Sequence, residues 1–115
     1  SFSVTYTNGT YFDAIILGIG LDGHTASIFS SCNFLLNDTR SYAVAVHPES
    51  KQLRITLTGP VILNSTPLLV PVIGENKKAI FERLLEARTI TESFPAACIM
   101  YRAASTSVFT DIKER

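Results

Sequence analysis

One stretch constrains this chain more than any other: Asp13-Ala14-Ile15-Ile16-Leu17 runs without a break into Gly18-Ile19-Gly20-Leu21-Asp22-Gly23-His24. The first segment is apolar at successive positions after Asp13, so both faces of the strand it predicts are apolar. That is the pattern of a central parallel strand covered by helices. The glycines then turn the chain sharply, and residues 24–29 are expected to form a helix behind them. Strand, glycine turn and helix in that order belong to α/β architecture, in which ligands sit beyond the carboxyl ends of parallel strands.

The rest of the chain fits the same plan. Residues 4–7 alternate and Asn8-Gly9 tolerates positive φ, which predicts a short strand and a tight turn. Residues 33–41 read as a loop, and 42–46 as a strand stopped by His47-Pro48. Residues 53–58 alternate, with Leu53, Ile55 and Leu57 apolar, and Gly59-Pro60 ends them. Pro60 suits the first position of a short helix through about Leu63. Residues 68–73 form another buried strand, with Pro71 pointing to an edge position or a bulge. The clearest helix spans 75–88, its apolar residues Ala79, Ile80, Leu84 and Ala87 recurring at three- and four-residue steps. A turn or helix near Pro95 and a strand at 107–110 complete an α/β fold with a largely parallel sheet. No repeat, low-complexity tract or linker divides the chain, so one domain is expected.

Composition narrows the function. Hydrophobic residues make up 46% of the 115 residues, enough for a real core, and charged residues 17%. No run approaches the 18 or so apolar residues of a membrane span. Lys and Arg number 10 and Asp and Glu number 10, a balance that argues against nucleic acid or a membrane surface as partner. Cys32 and Cys98 have no metal-ligand spacing, and two reduced thiols in a reducing compartment are expected. Neither a metal nor an organic cofactor is expected. The Asn-x-Ser/Thr triplets at Asn8, Asn37 and Asn64 read as chance without a secretory signal. The chain begins with Ser1 rather than Met, so a cut from a longer protein is expected.

The glycine turn has two readings. It satisfies the G-x-G-x-x-G spacing that cradles a dinucleotide pyrophosphate. That reading wants an acidic residue at the end of the next strand, and Glu49 instead follows Pro48 in a loop. Asp22 inside the turn would also repel a pyrophosphate. A carboxylate and an imidazole two residues apart suit acid–base chemistry better, because His titrates near neutral pH and a carboxylate can orient its ring. Against catalysis stands a structural reading, with Asp22 and His24 serving only to cap a helix start.

The run from Asp13 through His24-Thr25-Ala26-Ser27-Ile28-Phe29 closely resembles the signature of the 6-phosphogluconolactonases, which share a superfamily with the glucosamine-6-phosphate deaminases. The deaminases resemble it through Asp-Gly-His but continue with Ile-Ala-Phe-Asn-Glu. Here Thr25 to Phe29 follow, so the lactonases are favoured. Arg54 in Leu53-Arg54-Ile55-Thr56-Leu57 looks like a family Arg-Ile-Thr-Leu segment, and its planar fork of donors suits a phosphate. By pattern alone Arg54 is an exposed strand residue. Lys77 follows Gly74 in a Gly-x-x-Lys resemblance and sits at a helix start, where cations are out of place unless an anion binds there; Lys78 is its solvated neighbour. Phe94-Pro95-Ala96-Ala97 and Ser107-Val108-Phe109-Thr110-Asp111 look like the family's closing segments. Ser30 stands where the family usually has Pro, and the loop at 49–52 looks shortened.

The resemblance implies a Rossmann-like three-layer α/β sandwich with a mainly parallel sheet. Residues 1–115 would be the carboxyl-terminal part of a single domain, its partner the missing amino-terminal half of the same enzyme. It implies cytoplasmic hydrolysis of 6-phospho-D-glucono-1,5-lactone to 6-phosphogluconate, the second step of the oxidative pentose phosphate pathway. In that scheme His24 is general base and Asp22 orients it. Gly18, Gly20, Gly23, Arg54 and Lys77 bind the phosphosugar lactone. The alternatives are a deaminase or sugar-phosphate isomerase, and a non-catalytic phosphosugar- or nucleotide-binding module.

Overall fold

In the computed structural model, residues 12–65, 67–87 and 93–113 are described. The strand and turn expected at 4–9, Asn8, and the end of the long helix at Arg88 lie outside them. Three strands form a parallel sheet in the order β1 (Ile15–Ile16), β4 (Leu68–Val72), β5 (Thr106–Thr110). Strands β2 (Tyr42–Val46) and β3 (Leu53–Leu57) form a separate antiparallel hairpin. The helices are α1 (Gly59–Asn64), α2 (Lys78–Glu86) and α3 (Pro95–Arg102), with 3-10 segments at Ser30–Asn37 and Glu75–Lys77. The expected α/β class and parallel sheet are present.

One face of the parallel sheet carries the core. Ile15, Leu17, Leu68, Val70 and Val72 are buried there with Ile80, Phe81 and Leu84 of α2 and Ala96, Ala97 and Ile99 of α3. On the opposite face Ile16 is 73% exposed and Phe109 56%. The described residues therefore give the sheet and the helix layer over one face. The sequence predicts a central strand at 13–17; β1 instead stands at the edge of the described sheet, covered on one side. In α2 the buried stripe is Ile80, Phe81 and Leu84, while Ala79 is exposed. The bulkier Phe81 takes the place in the core that periodicity assigned to Ala79.

Three expectations need correction. First, residues 24–29 are not a helix. Ala26 sits at φ 51, and Thr25 bridges both Ile19 and Ile28. Thr25 Oγ1 donates to the Gly18 carbonyl at 2.9 Å, and Ser27 N–H donates to Thr56 Oγ1 at 3.1 Å. These tertiary bonds outcompete a helix that β-branched Thr25 and Ile28 support weakly. Second, the helical segment starts later, at Ser30–Asn37, and runs into the expected loop at 33–41; it kinks at Cys32 and buries Cys32, Leu35 and Leu36. Third, Pro71 lies in β4, the middle strand of the described sheet, rather than at an edge. Leu68 N–H bonds Ser105 of the β5 side, whereas the Pro67 and Leu69 carbonyls accept from Ile15 and Leu17 of the β1 side. Backbone groups alternate along a strand, so the N–H that Pro71 lacks faces beyond the end of β1. The pairing of β1 with β4 ends there, after Leu17 N–H donates to the Leu69 carbonyl.

Elsewhere the reading holds. The hairpin strands fall where the alternation put them, and α1 carries Pro60 in its first turn. Asp38 clamps Arg40 through both carboxylate oxygens, at 3.0 and 2.7 Å, just before β2. The Arg40 hydrogen bonds hold the Asp38 carboxyl down at about 2. Cys32 and Cys98 are buried and no disulfide joins them.

Candidate active site

The glycine turn leaves the carboxyl end of β1 and folds back on itself: Gly20 N–H bonds the His24 carbonyl at 2.9 Å, and Gly23 N–H bonds the Gly20 carbonyl at 3.0 Å. Within this tight loop Asp22 Oδ1 accepts the His24 backbone N–H at 3.1 Å and lies 2.5 Å from His24 Nδ1. An ionised carboxylate only accepts, so the shared proton belongs on Nδ1, leaving Nε2 as the ring's basic nitrogen. Desolvation pushes the Asp22 carboxyl up. The ring and backbone hydrogen bonds from His24, with its charge, outweigh that and hold Asp22 below its ordinary value. Asp22 is therefore a carboxylate under all conditions in which an imidazole is neutral.

The His24 ring is fenced on its other sides. Phe29, itself buried, lies 4.7 Å away between ring centroids, and His47 meets Phe29 edge-on at 5.1 Å. A Cβ on Gly20 would stand 2.1 Å from His24 Cε1. Only glycine leaves room for this ring. Gly23 has a different duty: its φ is 89 and a Cβ would meet Phe94 at 3.1 Å, while its carbonyl accepts Ala96 N–H at 3.0 Å. The start of α3 thus seats the turn, and the Arg83 guanidinium lies 5.0 Å over the Phe94 ring.

A crevice of about 420 Å³ opens beside the turn, lined by Gly18, Ile19, Gly20, His24, Ala26, Pro71 and Lys77. Among the sequence-predicted residues, Gly18, Gly20, His24 and Lys77 come together here. A Cβ on Gly18 would meet nothing within 4 Å, so the backbone there is open to a ligand. Lys77 ends the 3-10 turn before α2 and its Nζ donates to the Ile19 carbonyl. Arg54 does not line the crevice. It projects from the hairpin face that carries Thr56 toward the turn, and its guanidinium donates to Gln52 Oε1 at 3.3 Å. Glu49 is exposed in the hairpin loop, its N–H donating to His47 Nδ1 at 3.2 Å. It is not placed at a strand end as a ribose-binding acid would be.

Phe29, His47, Thr25, Ala26 and Pro71 complete the surroundings, and sequence reasoning assigned none of them to the site. Phe29 and His47 meet only through the tertiary fold, 18 positions apart in the chain. The left-handed Ala26 carries no local signal, since alanine does not favour that conformation.

The sequence matches the family described as glucosamine-6-phosphate isomerases/6-phosphogluconolactonase over residues 3–109. The chain belongs to this family. The 6-phosphogluconolactonase of Haemophilus influenzae is 37% identical over 110 residues, which are 95% of this chain and 46% of that protein. A crystal structure of a protein called devB superposes with a TM-score of 0.80 at 34% identity, over 93% of this chain and 44% of that one. A monomeric glucosamine-6-phosphate deaminase superposes with a TM-score of 0.70 at 23% identity, over 85% of this chain and 44% of that one; at that identity the likeness is of fold alone. The chain thus spans about half the length of the curated relatives it matches. The fold places the glycine turn where α/β enzymes hold their ligands.

Proposed function

We propose that this chain is the carboxyl-terminal half of a single-domain 6-phosphogluconolactonase, working in the cytoplasm on 6-phospho-D-glucono-1,5-lactone. The observation that carries the reading is the Asp22–His24 pair, with Nδ1 of His24 held at 2.5 Å and the ring lining the crevice with Lys77. Nε2 of His24 takes a proton from a water whose oxygen attacks the lactone carbonyl carbon. The tetrahedral oxyanion collapses and the bond from that carbon to the ring oxygen breaks. The proton on Nε2 then passes to the departing oxygen, which becomes a hydroxyl. The new carboxylic acid releases its own proton to solvent, giving 6-phosphogluconate. Asp22 keeps the ring in the required tautomer and stabilises the imidazolium between the two transfers.

Lys77 meets the 6-phosphate. Its ammonium carries three donors, so one can stay on the Ile19 carbonyl while others reach the phosphate. The open backbone at Gly18 and Gly20 lets the sugar approach, Gly23 shapes the turn, and Arg54 adds its charge once the rest of the pocket surrounds it. That remainder is assigned to the amino-terminal half of the same domain, consistent with relatives about twice as long and with the uncovered sheet face at Ile16 and Phe109.

The test is His24→Ala in the protein with its natural flanking sequence. Lactone hydrolysis should fall about 10²–10⁴-fold, the usual contribution of a general base, with an unchanged circular dichroism spectrum. Undiminished turnover overturns the mechanism. Release of ammonia from glucosamine 6-phosphate would replace lactonase by deaminase.

A further inference from the structure

We infer that Asp111 is a positioning residue for Lys77, an assignment that rests on Lys77 meeting the substrate's phosphate. Asp111 follows β5 directly, at the same carboxyl end of the sheet as the crevice. Its Oδ1 accepts the N–H of Gly74 at 3.0 Å. Gly74 follows β4 with φ 99 and ψ 148, a conformation open in practice to glycine alone. Glycine leaves that region as readily as it enters it, so a bond from outside must hold it there. The Gly74 carbonyl accepts the N–H of Lys77 at 3.0 Å. One residue therefore takes a carboxylate on its amide side and fixes the lysine backbone on its carbonyl side. Lys77 Nζ completes the link by donating to the Ile19 carbonyl in the glycine turn. Asp111 thus ties the ends of β5 and β4 to the turn that carries His24.

The energetic logic is one of reach. A lysine ammonium rides on a four-carbon stem with about 2 kcal/mol of rotamer entropy. It meets a phosphate well only if its Cα stays put. Without the carboxylate, Gly74 samples other conformations and the start of α2 loosens. Asp111 is exposed, so trimming it leaves no cavity and the fold survives.

The experiment compares Asp111→Ala, Asp111→Asn, Lys77→Ala and Asp111→Ala/Lys77→Ala in the protein with its natural flanking sequence. Asp111→Ala should raise KM for the phospholactone about fivefold to tenfold, as for one charge-assisted hydrogen bond partly lost, with kcat unchanged. Asp111→Asn keeps an acceptor and should restore KM. In the Lys77→Ala background Asp111→Ala should add nothing, since both act through one contact. Amide exchange at Gly74 should quicken in Asp111→Ala and not in Asp111→Asn. An unchanged KM in Asp111→Ala, an additive double variant, or unaltered Gly74 exchange each overturns the inference. If Lys77→Ala itself leaves KM untouched, the phosphate role of Lys77 fails and takes the substrate part of this inference with it. Gly74 exchange alone still decides whether Asp111 holds the loop.

Discussion

A Cβ placed on Gly20 would sit 2.2 Å from Nδ1 of His24 and 2.9 Å from Oδ1 of Asp22. Both atoms belong to the pair that does the proposed chemistry, so one methyl at Gly20 displaces the base and its orienting carboxylate together. Gly20→Ala should therefore lower lactone hydrolysis about as far as His24→Ala, on the order of 10²-fold or more, while thermal stability falls little. A Gly20→Ala protein with normal kcat would mean that the His24 ring sits elsewhere during turnover. A dinucleotide reading gives Gly20 to a pyrophosphate's approach, whereas here it makes room for an imidazole. Gly23 shows the other use of the residue, with φ 89 in the turn and the Phe94 ring beneath it. The glycine spacing was plain in the sequence, but what each glycine makes room for was not.

Among the elements, α1 and the 3-10 segment Ser30–Asn37 meet at Gly59, where a Cβ would stand 2.1 Å from the Leu36 carbonyl oxygen. Backbone blocks that position, so no flexible side chain can move aside. Gly59→Ala should lower stability by about 1–3 kcal/mol, the usual range for overpacking, read as a fall in Tm without a change in KM. An unchanged Tm would show that the two elements can separate freely. The helix expected at 24–29 fails through bonds of its own. Local pattern placed a helix straight after the glycines, but Thr25, Ser27 and Ile28 are taken up by bonds to Gly18, Thr56 and each other. Helical structure resumes only where Leu35 and Leu36 can reach the core. Pro71 illustrates the converse. Its missing N–H forbids a position paired on that side, not a middle strand as such.

For the whole molecule, the uncovered features share a sense. One face of the parallel sheet exposes Ile16 and Phe109, and the hairpin turns Val44 and Ile55 outward at 58% and 78% exposure, with small Ala43 and Ala45 facing in. The crevice is lined from one side, and Arg54 stands apart from it. A substrate held only by His24, Lys77 and open backbone lacks the enclosure that ligand sites use to orient a reacting group. Residues 1–115 alone should therefore hydrolyse the phospholactone little faster than buffer does. If the proposed assignment holds, the same residues joined to the proposed amino-terminal half should regain activity. Full turnover by the 115-residue chain would remove the need for that half.

The sequence by itself determined the class of fold, the strands at β2 to β5, a short helix with Pro60 in its first turn and the pairing of Asp22 with His24. Each depends on near neighbours: alternation, a ring-locked φ, or two side chains in one turn. The tertiary structure decided the rest. It set β1 at an edge of the described sheet and Pro71 in its middle, and brought Phe29 to the imidazole and His47 to Phe29. It also drew Lys77 onto a carbonyl 58 positions away while leaving Arg54 outside the crevice. Those outcomes turn on contacts between residues far apart in the chain, which spacing along a sequence does not encode.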